Sequence, residues 1–148
     1  MKKLFFLTIA ILLSGTAFSQ ILNPVKWSYS AKKINNTEAI VYLKATIDKG
    51  WHIYSQTVGE GGPIATSIKF SPSSVYRLVG KTTEPKAIAK FEKSFNMNVN
   101  YFENTVTFQQ KIKLASSAPT VKGKLEFMVC SNNKCLPPDE VEFVIPVK

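Results

Sequence analysis

The chain of 148 residues contains one histidine and two cysteines, and these scarcities exclude several chemistries at once. No serine or cysteine has a histidine partner other than His52, so hydrolysis by a nucleophile and base has little to work with. His52 and the two cysteines supply three ligands where a structural zinc site takes four, and Met97 and Met128 do not complete a copper set. No metal or organic cofactor is expected. "GEGGP", from Gly59 to Pro63, lacks the strand, helix and lysine of a phosphate loop and reads as a turn. Long apolar runs are missing too: Leu4 to Leu13 is only about half of the roughly 20 residues that a spanning helix requires, and no later stretch comes closer. Basic residues never form a run of five or six.

What is present begins with "MKKLFFLTIAILLSGTAFSQ": two lysines, an apolar run, then Ala17, Phe18 and Ser19 before Gln20, the order of a secretory signal. Residues 1–19 are therefore read as a signal peptide and residues 20–148 as one domain. With no cysteine at the cleavage point, lipoprotein anchoring is not expected; the expected location is periplasmic or secreted, an oxidising space. No membrane insertion is expected after cleavage, and a monomer is expected. Lys2 and Lys3 leave with the signal, so 17 of the 19 basic residues remain against 10 acidic ones, a net +7. Their dispersal reads as solubilising, and export argues against a nucleic-acid partner.

The rest of the chain alternates with the period of strands. In "EAIVYLKATI", Val41, Leu43, Ala45 and Ile47 share one face. "WHIYSQ", "TSIKF" and "VYRLVG" read as further short strands. In "TVTFQQKIKL", Val106, Phe108, Ile112 and Leu114 keep one phase, interrupted only by Gln110. "VKGKLEFMVC" and "VEFVIPV" repeat the pattern, while "EPKAIAKFEKSF" reads as a helical turn or a long loop. Seven or eight short strands without a helix predict an all-β fold, a β-sandwich.

Both cysteines lie in "FMVCSNNKCLPPDEVEF". Val121, Leu125, Phe127 and Val129 point one way and Cys130 the other, so Cys130 is expected to leave its strand on the polar face. "SNNK" is a turn-forming connection across which Cys130 and Cys135 can face each other at disulfide distance. Closing a loop of about six residues contributes only about 2 kcal/mol, little reward for a staple. Exposed bridges are also the ones that exchange, and Lys134 beside Cys135 favours the thiolate. Pro137 and Pro138 remove two backbone donors and can leave the sulfurs accessible. A structural hairpin disulfide in a non-catalytic secreted binding module remains the alternative, with an exposed Trp27 or Trp51 as its platform.

"GWHIYSQ", "FEKSFNMNVNYFENTVTF" and above all "VCSNNKCLPPDEVEF" resemble the N-terminal domain of the thiol:disulfide interchange protein DsbD. The resemblance spans nearly all of residues 20–148. It implies an immunoglobulin-like β-sandwich and a redox role for Cys130 and Cys135, with electrons relayed from a thioredoxin-like donor to extracytoplasmic client disulfides. It further implies that Cys135 bonds to the partner and Cys130 resolves the intermediate, as in a protein-disulfide reductase. A cap loop over the sulfurs would come from Phe91 to Tyr101, with Phe91 and Phe95 as its candidate aromatics and Phe95 as the preferred one. The four-residue spacer departs from the slightly longer one of better-known members. So does the end of the chain at Lys148, since those members continue into a membrane domain and a thioredoxin-like domain.

Overall fold

Alternating apolar and polar residues dictate strands, and the computed structural model of the protein, which describes residues 22–148, has eleven of them and no helix among those residues. The expected signal peptide lies outside the described residues. In chain order the strands are β1 (Val25–Lys33), β2 (Glu38–Ile47), β3 (Trp51–Tyr54), β4 (Ser67–Phe70), β5 (Tyr76–Thr83), β6 (Ile88–Glu92), β7 (Met97–Glu103), β8 (Thr105–Leu114), β9 (Thr120–Phe127), β10 (Val129–Ser131) and β11 (Asp139–Pro146). They form three antiparallel sheets, ordered β1-β2-β8-β5, β10-β3-β7-β6 and β11-β9-β4. The first sheet makes one layer. The other two, joined where β9 passes into β10, make the layer facing it, giving an immunoglobulin-like β-sandwich.

The core lies between these layers. Val41, Leu43, Phe108 and Ile112 come from the first sheet, Ile53, Phe102 and Val129 from the second, and Leu125, Phe143 and Ile145 from the third. Their burial removes apolar surface from water, the main favourable term in folding. Trp27 joins this core on the rings of Phe108 and Phe127, and Trp51 packs against it. Neither tryptophan stands free as a binding platform.

Strand phase was the reliable signal, and the differences have local causes. "EPKAIAKFEKSF" holds neither a helix nor a long loop: its central residues form β6, and the chain turns tightly at 93–96 into β7. "VKGKLEFMVC" is two strands, because the chain breaks at Met128 and changes sheet there. β1 is a further strand beyond those expected, along which Val25, Trp27, Tyr29 and Ala31 alternate inward. Gln110 stays on the buried phase of β8, only 1% exposed, because β5 shifts register between Val79 and Thr83. Its amide donates to the carbonyls of Val79 and Lys111, and its oxygen accepts from the Thr82 hydroxyl, satisfying the backbone freed by the bulge.

The second sheet is covered on both sides. Ile53, Phe102 and Val129 face the main core, while Tyr54, Val99, Tyr101 and Cys130 form a smaller cluster on the outer face, flanked by Val58, Met97 and Met128. His52 packs against this cluster at its edge, with the rings of Tyr54 and Tyr101 beside it and Nε2 3.3 Å from the Tyr54 hydroxyl.

Two expectations about stability follow from this packing. A Cβ at Gly123 would strike the Lys69 carbonyl and lie 2.5 Å from Cζ of Phe143. Gly123→Ala should therefore cost about 2 kcal/mol, seen as a lower urea midpoint at unchanged slope. His52 has its pKa lowered chiefly by burial, which outweighs the opposing effect of Glu92; Lys90 lowers it further and Glu103 raises it slightly. The unfolded chain, titrating near 6.5, takes up a proton where the folded state does not, so His52 lowers stability as pH falls below about 6.5 and has no effect above it. The urea midpoint should fall between about pH 7.5 and 5.5, and His52→Gln should flatten that slope; an unaltered slope would assign it to other groups.

Candidate functional site

β10 has only three residues because the hairpin that follows it closes at once. Val129, Cys130 and Ser131 pair with Ile53, His52 and Trp51 of β3, at one edge of the second sheet. The amide of Ser131 donates to the Lys134 carbonyl at 2.7 Å, and the amide of Leu136 donates to the Val129 carbonyl at 2.9 Å. Within the turn, the Ser131 hydroxyl accepts from the amides of Asn133 and Lys134, which fixes the "SNNK" connection. Cys130 and Cys135 are thereby placed opposite each other as an antiparallel bridge, and they form a disulfide with Cα atoms 4.0 Å apart. After Leu136 the ladder stops, since Pro137 and Pro138 have no amide hydrogen to give.

The two sulfurs sit in different environments. Cys135 belongs to an exposed turn, whereas Cys130 is only 1% exposed. The expectation that Cys130 would lie on a polar face is thus corrected. Its phase is opposite to Val129 as expected, but the face it enters is apolar, roofed by Tyr54, Val99 and Tyr101. The periodicity of one strand could not show this, because the cover comes from β3 and β7, which are far away in sequence.

A cleft of about 80 Å³ opens at the disulfide, lined by both cysteines, the turn between them, Tyr54, Glu92, Ser94 and Phe95. The turn between β6 and β7 forms its far wall. There the amides of Phe95 and Asn96 donate to the carbonyls of Glu92 and Lys93, and Asn96 adopts φ 52°, a left-handed conformation that asparagine tolerates. The Phe95 ring meets Tyr54 edge-on at 6.5 Å. Lys90 reaches from β6 to Asn132 across the gap, its Nζ 3.5 Å from Oδ1.

Of the two candidate cap aromatics, the fold brings only Phe95 to the cysteines. Phe91 pairs with Asn98, on the opposite phase of β6 from Lys90 and Glu92, and is 51% exposed. Lys134, singled out for its place beside Cys135, has its ammonium 5.8 Å from the centre of the Trp51 ring. Tyr54 was legible only as part of a strand. Burial, with a smaller contribution from Glu92, pushes its phenol up to about 12, so it stays protonated and able to donate. Glu92 and Ser94 carried no signal in the sequence, because the pairing of β6 with β7 brings them here.

A disulfide with one reachable and one buried sulfur can be attacked from one side only. No curated protein sequence matches the chain. The DsbD N-terminal domain of Neisseria meningitidis in its reduced form is 16% identical with a TM-score of 0.53, over 80% of this chain and 83% of that one. The N-terminal periplasmic domain of ScsB from Proteus mirabilis is 18% identical with a TM-score of 0.59, over 84% of this chain but only 46% of that one. A third structure, of the complex between the DsbD N-terminal and PilB N-terminal domains of Neisseria meningitidis, is 16% identical with a TM-score of 0.55, over 84% and 87%. At these identities the likeness concerns the fold. The family model for the N-terminal region of the thiol:disulfide interchange protein DsbD matches residues 19–146, and the chain belongs to that family.

Proposed function

We propose that the protein is an extracytoplasmic thiol–disulfide exchange protein whose Cys130–Cys135 pair relays electrons from a thioredoxin-like donor to client disulfides. The observation that carries this reading is the asymmetry of the pair: Cys135 on an exposed turn at a sheet edge, Cys130 buried behind it. The complex of the related DsbD domain with the PilB N-terminal domain supports a protein partner for this fold.

In the proposed exchange a donor thiolate attacks Sγ of Cys135 and forms a mixed disulfide. The Cys130–Cys135 bond breaks, and its electron pair goes to Sγ of Cys130, which takes up a proton. The donor's second thiol then displaces Cys135, leaving a dithiol here and a disulfide on the donor; two electrons and two protons have moved. The reduced pair passes them on by the same steps in reverse, with Cys135 attacking the client and Cys130 resolving the intermediate. Burial alone would raise the Cys130 thiol and make it a poor leaving group. The protonated Tyr54 phenol on the wall of the cleft is suited to offset this, and Phe95 to shield the sulfurs until a partner displaces it.

Titration of the couple against glutathione or dithiothreitol, followed by thiol alkylation, tests the proposal. A potential between about −270 and −120 mV is expected for a relay, and one well below about −300 mV would mark a structural bridge. After reduction, Cys135 should be alkylated well before Cys130. Cys130→Ala should then trap a mixed disulfide with a thioredoxin-like protein through Cys135, while Cys135→Ala should trap none.

A further inference from the structure

Basic residues that look dispersed along the chain converge once the strands pair. On a strand, residues two apart share a face, so a charged face is written as every second residue of several distant segments. The outer face of the β1-β2-β8-β5 sheet collects Lys26 and Lys32 from β1, Lys44 from β2, Lys111 and Lys113 from β8, and Arg77 from β5, all exposed. Its one carboxylate is Glu38, paired with Lys111 at 2.8 Å and holding its proton less tightly than usual because of Lys111 and Lys113. The outer face of the β11-β9-β4 sheet, by contrast, balances Lys69, Lys122 and Lys124 against Glu126, Glu140 and Glu142, and Lys124 pairs with Glu140 at 2.9 Å.

Solubility requires only interspersed charges, which the balanced face has. Protection of sheet edges would account for Lys26, Lys32 and Arg77, which stand on edge strands, but not for Lys44, Lys111 and Lys113 on the central β2 and β8. Arg77 and Lys113 are directly opposed across β5 and β8, and although Glu38 stands opposite Lys113 across β2, that single carboxylate leaves five of the six cations on the face uncompensated. The cations are spread in two dimensions, over four strands and roughly 25 Å along β2, rather than along a groove. That array fits a plane of negative charge. At its middle the half-buried Tyr42 sits among the lysines, an amphipathic ring suited to the headgroup level of a bilayer.

We infer that this sheet face docks the protein on the surface of an anionic phospholipid membrane. The cysteine pair lies on the outer face of the opposite layer, so a docked protein would turn its disulfide away from the lipid.

The test is sedimentation of the chain from Gln20 onward, which keeps every described strand and lacks the apolar run at Leu4 to Leu13, with vesicles containing about a third anionic phospholipid or only zwitterionic lipid. Binding to the anionic vesicles alone is expected, with release as salt is raised from about 0.02 to 0.5 M. Lys26→Gln, Lys44→Gln and Lys113→Gln together should weaken it roughly a hundredfold. Lys69→Gln, Lys86→Gln and Lys122→Gln, the same charge removed off this face, should weaken it less than about fivefold. Equal loss from both triple variants would overturn the inference, as would failure of the unsubstituted chain to bind anionic vesicles at low salt. Retention on an anionic polysaccharide without vesicle binding would overturn it in favour of a different polyanion.

Discussion

The site depends on one local constraint, the break in strand pairing at Met128. Up to Phe127 the chain belongs to the third sheet; from Val129 it belongs to the second. Phe127 and Val129 both stay in the main core, so the apolar phase continues across the break although the hydrogen-bonding partner changes. Cys130 then has to point to the other side of the second sheet. Had β9 simply continued beside β4 and β11, its alternate residues would have met the solvated face that carries Lys122, Lys124 and Glu126. The change of sheet brings Cys130 opposite His52 instead, beneath the aromatic cover of β3 and β7.

Burial on that outer face is what separates the two cysteines chemically. A disulfide exposed at both sulfurs would accept attack at either, and one buried at both would accept none. Here the turn and the prolines after Leu136 keep Cys135 at the surface, while the second apolar cluster holds Cys130. The turn between β6 and β7 closes the same space from the other side, so the site is assembled from two hairpins and one central strand. None of the three has enough apolar contact to stand alone. The site therefore relies on the sandwich beneath it for its geometry.

This explains which parts were legible in the sequence. The strands β2 and β8 could be read to the residue because each has one buried face and one solvated face, and alternation records that directly. The hairpin disulfide was legible as a possibility from the spacing of Cys130 and Cys135, and the family from the residues around them. β6 was not, since its five residues have hardly any buried face and so no alternation to record. The cover over Cys130 was illegible for a different reason: it is a tertiary contact between segments about thirty and seventy-five residues away along the chain. The resemblance offered Phe91 and Phe95 for the cap with Phe95 preferred, but the physical reason for that preference, the strand register that turns Phe91 away, is not visible in a single strand's composition.

The same reasoning applies to charge. Read along the chain, the lysines of β1, β2 and β8 form no run longer than the pair Lys32 and Lys33 and look like general solubilisation. Across the sheet they are neighbours, and the register that aligns Ser28 with Lys44 and Lys113 with Arg77 leaves a single carboxylate among them. A period-2 element hides its faces from any test for runs, so the absence of a basic run in a β-protein carries no information about its surface. What distinguishes a functional charge array from a solvated one is the comparison between faces of the same molecule. One outer face here balances its signs by direct pairs such as Lys124 with Glu140, and the other does not. Six cations against one carboxylate leave that face with an excess of like charge that repels itself, a cost that a negative surface laid over the face would offset.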